Sequence, residues 1–372
     1  MPLPVCFHCP AKINAHRHSG VALITVLLIV FLASMTAISL AMVQQIAIRR
    51  STVLQHQQQS RLYVLGIEQW AGLLLMRDRQ DNAKDYPGEE WASLPPALPI
   101  ENGVLSGKIR DLQGCFNLNN LWRTGLNRAS AGPDGAQPEG AQDTEETDQD
   151  ADNPVQPSPA PQPPNPTDSV QPGSDKPGIH PEQLKVLQRL LIRLELKPEL
   201  AQAIADWIDP DQDTLFPNGA EDSDYTVLNP PYLAANQPFV SVSELRLVKG
   251  VDRETYDILA PLVCALPPGV ALNINTAPAL VLAALDEKVV LADLERVLEE
   301  RPADGYENVD ELLNAAKITL DAPTKALLSV DSQYFLLQAE ARVGDGRAML
   351  YSTIFRDENG VRVLRRSFGN QD

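Results

Sequence analysis

The densest run of side chains that can do chemistry lies at 206–225, which reads DWIDPDQDTLFPNGAEDSDY. Seven carboxylates, Asp206, Asp209, Asp211, Asp213, Glu221, Asp222 and Asp224, fall within 19 positions, and no Lys or Arg interrupts them. Held in one ordered loop, they repel one another unless a counter-charge sits among them. A hard divalent cation such as calcium, which takes about six to eight oxygen ligands, meets that need. The Asp209, Asp211, Asp213 spacing matches the first three ligand positions of an EF-hand loop. Thr214 and Ala220 then stand where that loop needs Gly and Glu, so this is not an EF-hand. The competing reading is a solvated acidic turn, the usual fate of a charge run. Trp207, Leu215, Phe216 and Tyr225 inside the run point to a packed loop and favour the cation. The expected ligands are Asp209, Asp211, Asp213, Glu221, Asp222 and Asp224, with Asp206 as a further candidate.

Catalytic chemistry has little to stand on. Outside the first 20 residues the histidines are His56 and His180, and neither lies near a nucleophile or a carboxylate pair in sequence. There is no P-loop, no G-x-S-x-G and no metal-hydrolase His pair, which points to a protein that is not an enzyme. The net charge of −18 argues against a nucleic-acid partner, because phosphate backbones select basic surfaces. Of four cysteines, Cys6 and Cys9 lie near the start, leaving Cys115 and Cys264. That pair, with no neighbouring His for a metal, suits one disulfide in an oxidising compartment. Two buried free thiols are the alternative.

The elements that must position these groups begin with a long apolar helix. Residues 21–43 carry no charge, no Pro and no Gly. As a helix they span about 35 Å, enough to cross the hydrocarbon core of a bilayer. Helical spacing continues over 44–79 through Ile46, Val53, Leu54, Val64, Ile67, Ala71 and Leu74, so one helix is expected to leave the membrane and enter a soluble part. Lys12 and Arg17 precede the span and Arg49 and Arg50 follow it, so the positive-inside rule does not set its orientation.

Pro87, Pro95, Pro96 and Pro99 exclude regular structure until Ile100, and 103–113 then reads as a strand. Residues 129–178 hold 11 Pro, 10 acidic residues and one Lys, half of the whole negative excess, and too few apolar side chains to offset chain entropy. They are expected to be disordered. Helices follow at 180–194, with Pro181 in the first turn, and at 199–208, which leads into the acidic loop. Ser243 and Asp252 read as caps of two short helices broken by Gly250, with a looser echo at 306–313 and 321–328. These pairs resemble helix-hairpin-helix units in a structural role. Asn275 or Thr276 reads as the cap of a helix over 278–285. Strands at 334–343, 347–355 and 361–368 are joined by Gly344-Asp345-Gly346 and Asn359-Gly360 turns.

Several stretches together resemble one family. His18-Ser19-Gly20-Val21-Ala22-Leu23-Ile24-Thr25 is similar to a type IV prepilin N-terminus, whose peptidase would cut between Gly20 and Val21. Most members carry Glu where this chain has Thr25; its absence is characteristic of the K-type minor pseudopilin of type II secretion. The 20-residue leader is longer than usual for the family. DLQGCFNLN at 111–119 resembles the K-type segment D-x-Q-G-x-F-N-L-N, and LNINTAPAL at 272–280 is also similar. The pattern D-W-I-D-x-D…P-x-G-A-E-D-x-x-Y resembles the calcium-binding region of that family. The likeness covers most of the chain outside 129–178.

The resemblance implies an α+β, pilin-like fold. A leader over 1–20 is cleaved, a transmembrane helix follows over 21–43, and 44–121 and 330–372 build a small antiparallel sheet on the helix. A large inserted all-α domain with the metal loop occupies 179–329. It further implies a single-pass inner-membrane protein, N-terminus cytoplasmic and bulk periplasmic, at the pseudopilus tip. Its partners would be prepilin peptidase, I- and J-type minor pseudopilins, other pseudopilus subunits and exported proteins. Thr25 fits that place, since the usual Glu is thought to meet the N-terminus of a preceding subunit. The competing assignments are a type IV pilus minor pilin and a membrane-anchored helix-hairpin-helix DNA-binding protein.

Overall fold

Helix α1 runs unbroken from Ser19 to Asp81, 63 residues or about 95 Å. The computed structural model to which it belongs describes residues 19–123 and 178–369. The expected leader therefore falls outside the described residues except at its end, and so does the acidic Pro-rich segment apart from Gly178. Between Val21 and Val43 every large apolar side chain is more than half exposed. Among the described residues this is the one helix long and apolar enough to cross a membrane. Ile46, Val53 and Leu54 are exposed too. The sheet hairpin first touches the helix at His56, and full burial begins at Ser60 and continues through Val64, Ile67, Ala71, Leu74 and Leu75, a three-and-four spacing that marks one helix face.

That face covers a five-stranded antiparallel sheet. Its strands are β1 (Leu98–Ile100), β2 (Gly103–Asp111), β3 (Tyr334–Val343), β4 (Gly346–Asp357) and β5 (Gly360–Phe368), side by side in that order. Alternation turns Leu105, Ile109, Phe335, Leu337, Ala339, Ala341, Leu350 and Ile354 toward α1, where they share one apolar cluster with it. Each such Leu, Ile or Phe contributes about 1.5–3 kcal/mol by leaving water. Strand β1 contradicts the expectation that the prolines exclude structure before Ile100. It pairs Pro99 with Val104 at the sheet edge, where a missing N–H costs no ladder bond.

Between β2 and β3 most of the regular structure in the described chain is helical. It comprises α2 (Pro181–Arg193), α3 (Leu200–Ile208), α4 (Asp222–Tyr225), α5 (Arg253–Leu259), α6 (Ala279–Ala283), α7 (Leu291–Glu299), α8 (Val309–Ala316) and α9 (Ala322–Lys325). These pack on a second apolar cluster that includes Leu187, Leu190, Ile204, Leu245, Leu259 and Leu312, together with Phe116, Leu118 and Leu121 from the chain after β2. The region is not purely helical. Phe116–Asn117 pairs with Val263–Cys264, Trp122–Arg123 with Gly178–Ile179, and Leu272–Asn273 with Leu328–Ser329.

Packing partly rewrites the local signals. Pro181 sits in the first turn of α2 and Asp252 caps α5, as expected. Ser241, not Ser243, caps the following turn, a 3-10 segment over Val242–Leu247. Neither Asn275 nor Thr276 caps α6: Asn275 Nδ2 donates to the Tyr306 carbonyl at 3.2 Å, and Thr276 Oγ1 donates to Asp111 at 2.5 Å. At Gly114 a Cβ would meet the Thr276 carbonyl at 2.8 Å, so glycine is needed there for close approach between segments.

A buried polar joint ties the two clusters together. Asp111, at the end of β2, accepts from Ser332 Oγ at 2.7 Å and Asn273 Nδ2 at 3.1 Å as well as from Thr276. The same Asn273 amide donates to the Asp85 carbonyl at 3.0 Å. Arg356 of β4, 2% exposed, donates to both Asp85 oxygens at 2.6 Å, to Asp78 at 2.7 Å, and to the carbonyls of Leu75 and Ser332. Arg356→Met would leave Asp85 buried without its cation. The expected loss is about 3–5 kcal/mol of stability, read as a lower urea midpoint of the full chain in detergent; an unchanged midpoint would refute the joint's role.

Candidate metal centre

Helix α3 buries Ala201, Ile204, Ala205, Trp207 and Ile208, which fixes the phase of its last turn and drives Asp206 inward with them. Asp206 is fully buried. Its carboxylate accepts from the Leu215 N–H at 3.1 Å and the Ala220 N–H at 2.8 Å, pinning both ends of the acidic loop. Gly219 is where the loop passes closest: a Cβ would collide with Asp206 Oδ2 and lie 2.7 Å from the Leu215 backbone. Asp209 ends α3 and Glu221 precedes α4; both are buried.

Asp206, Asp209 and Glu221 each offer an oxygen within 4.8 Å of the other two. Asp209 Oδ1 and both Glu221 carboxylate oxygens are buried with no hydrogen-bond partner. Burial, reinforced by Asp211 and Asp206, pushes the Asp209 carboxyl up to about 8. Burial and then Asp206 push Glu221 up to about 7, and burial pushes Asp206 up to about 6 against its two backbone donors. An all-oxygen, acceptor-only set of this kind fits a hard cation and suits neither a thiolate- nor an imidazole-preferring metal.

The remaining expected ligands divide. Asp211 and Asp213 are exposed on the loop, with Asp211 accepting from the Asp213 N–H at 2.9 Å. Asp222 is occupied by the Ala234 N–H and by Gln212 Nε2, both at 2.9 Å. Asp224 pairs with Lys249 at 2.8 Å, which holds its carboxyl below the usual range, and accepts from the Glu221 N–H. The structure thus gathers Asp206, Asp209 and Glu221 and gives Asp222 and Asp224 hydrogen-bonding work. The aromatic argument also splits. Trp207 and Tyr225 are buried edge to face at 5.2 Å, whereas Phe216 is 90% exposed. Sequence reading underweights Asp206; the signal for it is the run Ile204-Ala205-Asp206-Trp207-Ile208, which leaves that carboxylate no outward face.

Cys115 and Cys264 share a small apolar cluster with Leu266, Tyr334 and Phe355 at the joint. Both are buried thiols here; Cys264 Sγ lies 3.3 Å from the Cys115 carbonyl, and burial holds its thiol well above the ordinary range. The two described histidines serve structure. His56 Nδ1 accepts from the Asp345 N–H at 3.3 Å, and His180 caps α2.

Comparison with known proteins matches this architecture. Profiles described as type II secretion system (T2SS), protein K cover residues 114–268 and 272–331. The chain is 32% identical to type II secretion system protein K of Aeromonas hydrophila over 96% of its length and 99% of the relative's. It is likewise 32% identical to the protein of that name from Pseudomonas aeruginosa, over 94% and 93%. A chain in the crystal structure of the GspK-GspI-GspJ complex from the enterotoxigenic Escherichia coli type 2 secretion system superposes with a TM-score of 0.63 at 29% identity, covering 87% of this chain and all of that one. With relatives of this identity spanning nearly its full length, the chain belongs to the type II secretion system protein K family, the minor pseudopilins with an apolar N-terminal helix.

Proposed function

We propose that this minor pseudopilin stands at the tip of the pseudopilus with I- and J-type minor pseudopilins, and supports pseudopilus assembly and export of folded periplasmic proteins across the outer membrane. The observation that carries the reading is the solved relative: its crystal structure holds GspK together with GspI and GspJ. The bare first half of α1 supports it as well, since a helix with exposed apolar sides needs a lipid or helical environment. Thr25 adds no charge to that helix; its hydroxyl donates to the Ala22 carbonyl at 2.9 Å.

In this reading prepilin peptidase cuts between Gly20 and Val21, the helix crosses the inner membrane once with its N-terminus cytoplasmic, and the rest is periplasmic. Residues 179–329 act as an inserted domain on a pilin-like frame made by 44–121 and 330–372. The role is non-enzymatic. In this reading Cys115 and Cys264, which share one buried cluster, oxidise to a disulfide in the periplasm.

Calcium is the proposed structural ion. Asp206, Asp209 and Glu221 would hold it, with Asp211, Asp213, Asp222 and Asp224 available to complete the shell. The orphaned buried oxygens of Asp209 and Glu221 support this, because such groups cost several kcal/mol without a partner.

Intact-mass analysis of the chain pulled from membranes by tagged I- and J-type subunits tests the function. The expected species begins at a methylated Val21 and resists thiol alkylation until reduced. A chain that keeps Met1, or one never recovered with those subunits, would sink the tip reading.

Chelation of calcium is expected to lower the melting temperature, and Glu221→Gln to abolish most of that shift. Without the ion, the raised carboxyls keep protons in the folded state that the unfolded chain releases. Stability should then fall as pH rises through about 6, 7 and 8, the folded values of Asp206, Glu221 and Asp209. Saturating calcium should remove that decline. Melting curves that are identical with and without chelator across this range would rule the site out.

A further inference from the structure

The sheet face turned away from α1 is basic, although the chain as a whole carries −18. Strand register places Arg110, Leu336, Thr353 and Arg365 in one row across four strands, and Lys108, Gln338, Tyr351 and Ser367 in the next. Glu340 and then Arg342 with Arg347 follow toward the hairpin end. Glu340 is already bonded by Arg342 at 2.6 Å and Arg347 at 2.9 Å. Among the described residues the exposed side chains of Lys108, Arg110 and Arg365 make no hydrogen bond or ion pair.

A cleft of about 360 Å³ opens between the Arg110–Arg365 row and the helical region, lined by both arginines and, from the other side, by Val240, Val242 and Tyr256. Val240 is 71% exposed there. The two arginines are three strand spacings apart, about 14 Å. That is about four residues of extended chain, and residues four apart in an extended chain point the same way.

We propose that this cleft binds an acidic, extended segment of a partner protein, with carboxylates four residues apart meeting Arg110 and Arg365 and the apolar side chains that alternate with them, on the opposite face of the segment, meeting Val240. A membrane surface fits the charge but not the position. The joint end of the sheet is fixed to α1 at Leu75 and Asp78 through Arg356. Asp78 lies 35 residues beyond Val43, about 50 Å along the helix, well beyond a headgroup layer of about 5–8 Å. Binding is measured on the chain alone, so the result does not depend on its place in the pseudopilus.

The test uses the full chain in a neutral detergent and a fluorescein-labelled peptide, Glu-Leu-Ser-Leu-Glu, followed by fluorescence anisotropy at low salt. Binding is expected to weaken about tenfold or more when both Glu are replaced by Gln in the probe, and again in the Arg110→Gln, Arg365→Gln double variant. Val240→Asp should weaken it as well, while Lys185→Gln on α2 should not. Equal affinity for the two peptides, or no loss in the double variant, overturns the proposal. So does a tenfold gain when residues 129–178 are deleted, which would make the chain's own acidic segment the occupant. Competition by phosphatidylglycerol vesicles through the same arginines would replace the protein partner with a lipid surface.

Discussion

Arg356 is a fully buried cation, and three parts of the chain are arranged around it. Asp78 and the Leu75 carbonyl come from α1, Asp85 from the turn after it, and the Ser332 carbonyl from the chain that re-enters the sheet. A buried charge is tolerated only when it is paired and hydrogen-bonded, so each of these groups must arrive in place for any of them to be stable. Ser332 and Asn273 extend the constraint to Asp111. The long excursion between β2 and β3 therefore leaves and returns through one polar joint, beside the close approach of Gly114 and Thr276.

Among the described residues two acidic trios are gathered in or beside the core, and they are resolved differently. Asp78, Asp85 and Glu89 lie within ligand distance of one another but have Arg356 among them, and Glu89 accepts from Asn82, Tyr86 and Trp91. Asp206, Asp209 and Glu221 are gathered just as closely, with no ion pair among the described residues and with three oxygens unpartnered. The same electrostatic problem is solved by an arginine at the joint and is left without a protein cation at the loop, among the described residues. That difference separates a structural acidic cluster from a candidate metal centre better than a count of carboxylates does.

For a protein K of type II secretion, the fold divides labour along α1. Between Val21 and Val43 the helix offers uncharged, mostly apolar side chains to its surroundings, and its second half carries the sheet. The sheet in turn presents the joint at its far end. Stiffness along this path follows from continuous helix hydrogen bonding and from the charged joint, which resists bending where two apolar clusters meet.

Much of the outline is legible in the sequence because it rests on local rules. The uncharged run over 21–43, the alternation at 334–343, the Gly-rich turn after it and the Pro181 helix start are signals a chain carries within a few residues. The acidic loop and the K-type segments are also readable. Strand β1 escapes such a reading because an edge position excuses Pro99, and α7 because no side-chain cap marks its start. Ser241 displaces Ser243, and Thr276 is taken from a capping role, because each polar group goes to the partner that burial leaves it. The sequence by itself determined the span, the helix that continues it and the concentration of carboxylates at 206–224. Only the tertiary structure decided which carboxylates lose their water and partners together, which glycines face a neighbouring backbone and which arginines share a row. Those outcomes depend on contacts between residues far apart in the chain, and spacing along the chain does not encode them.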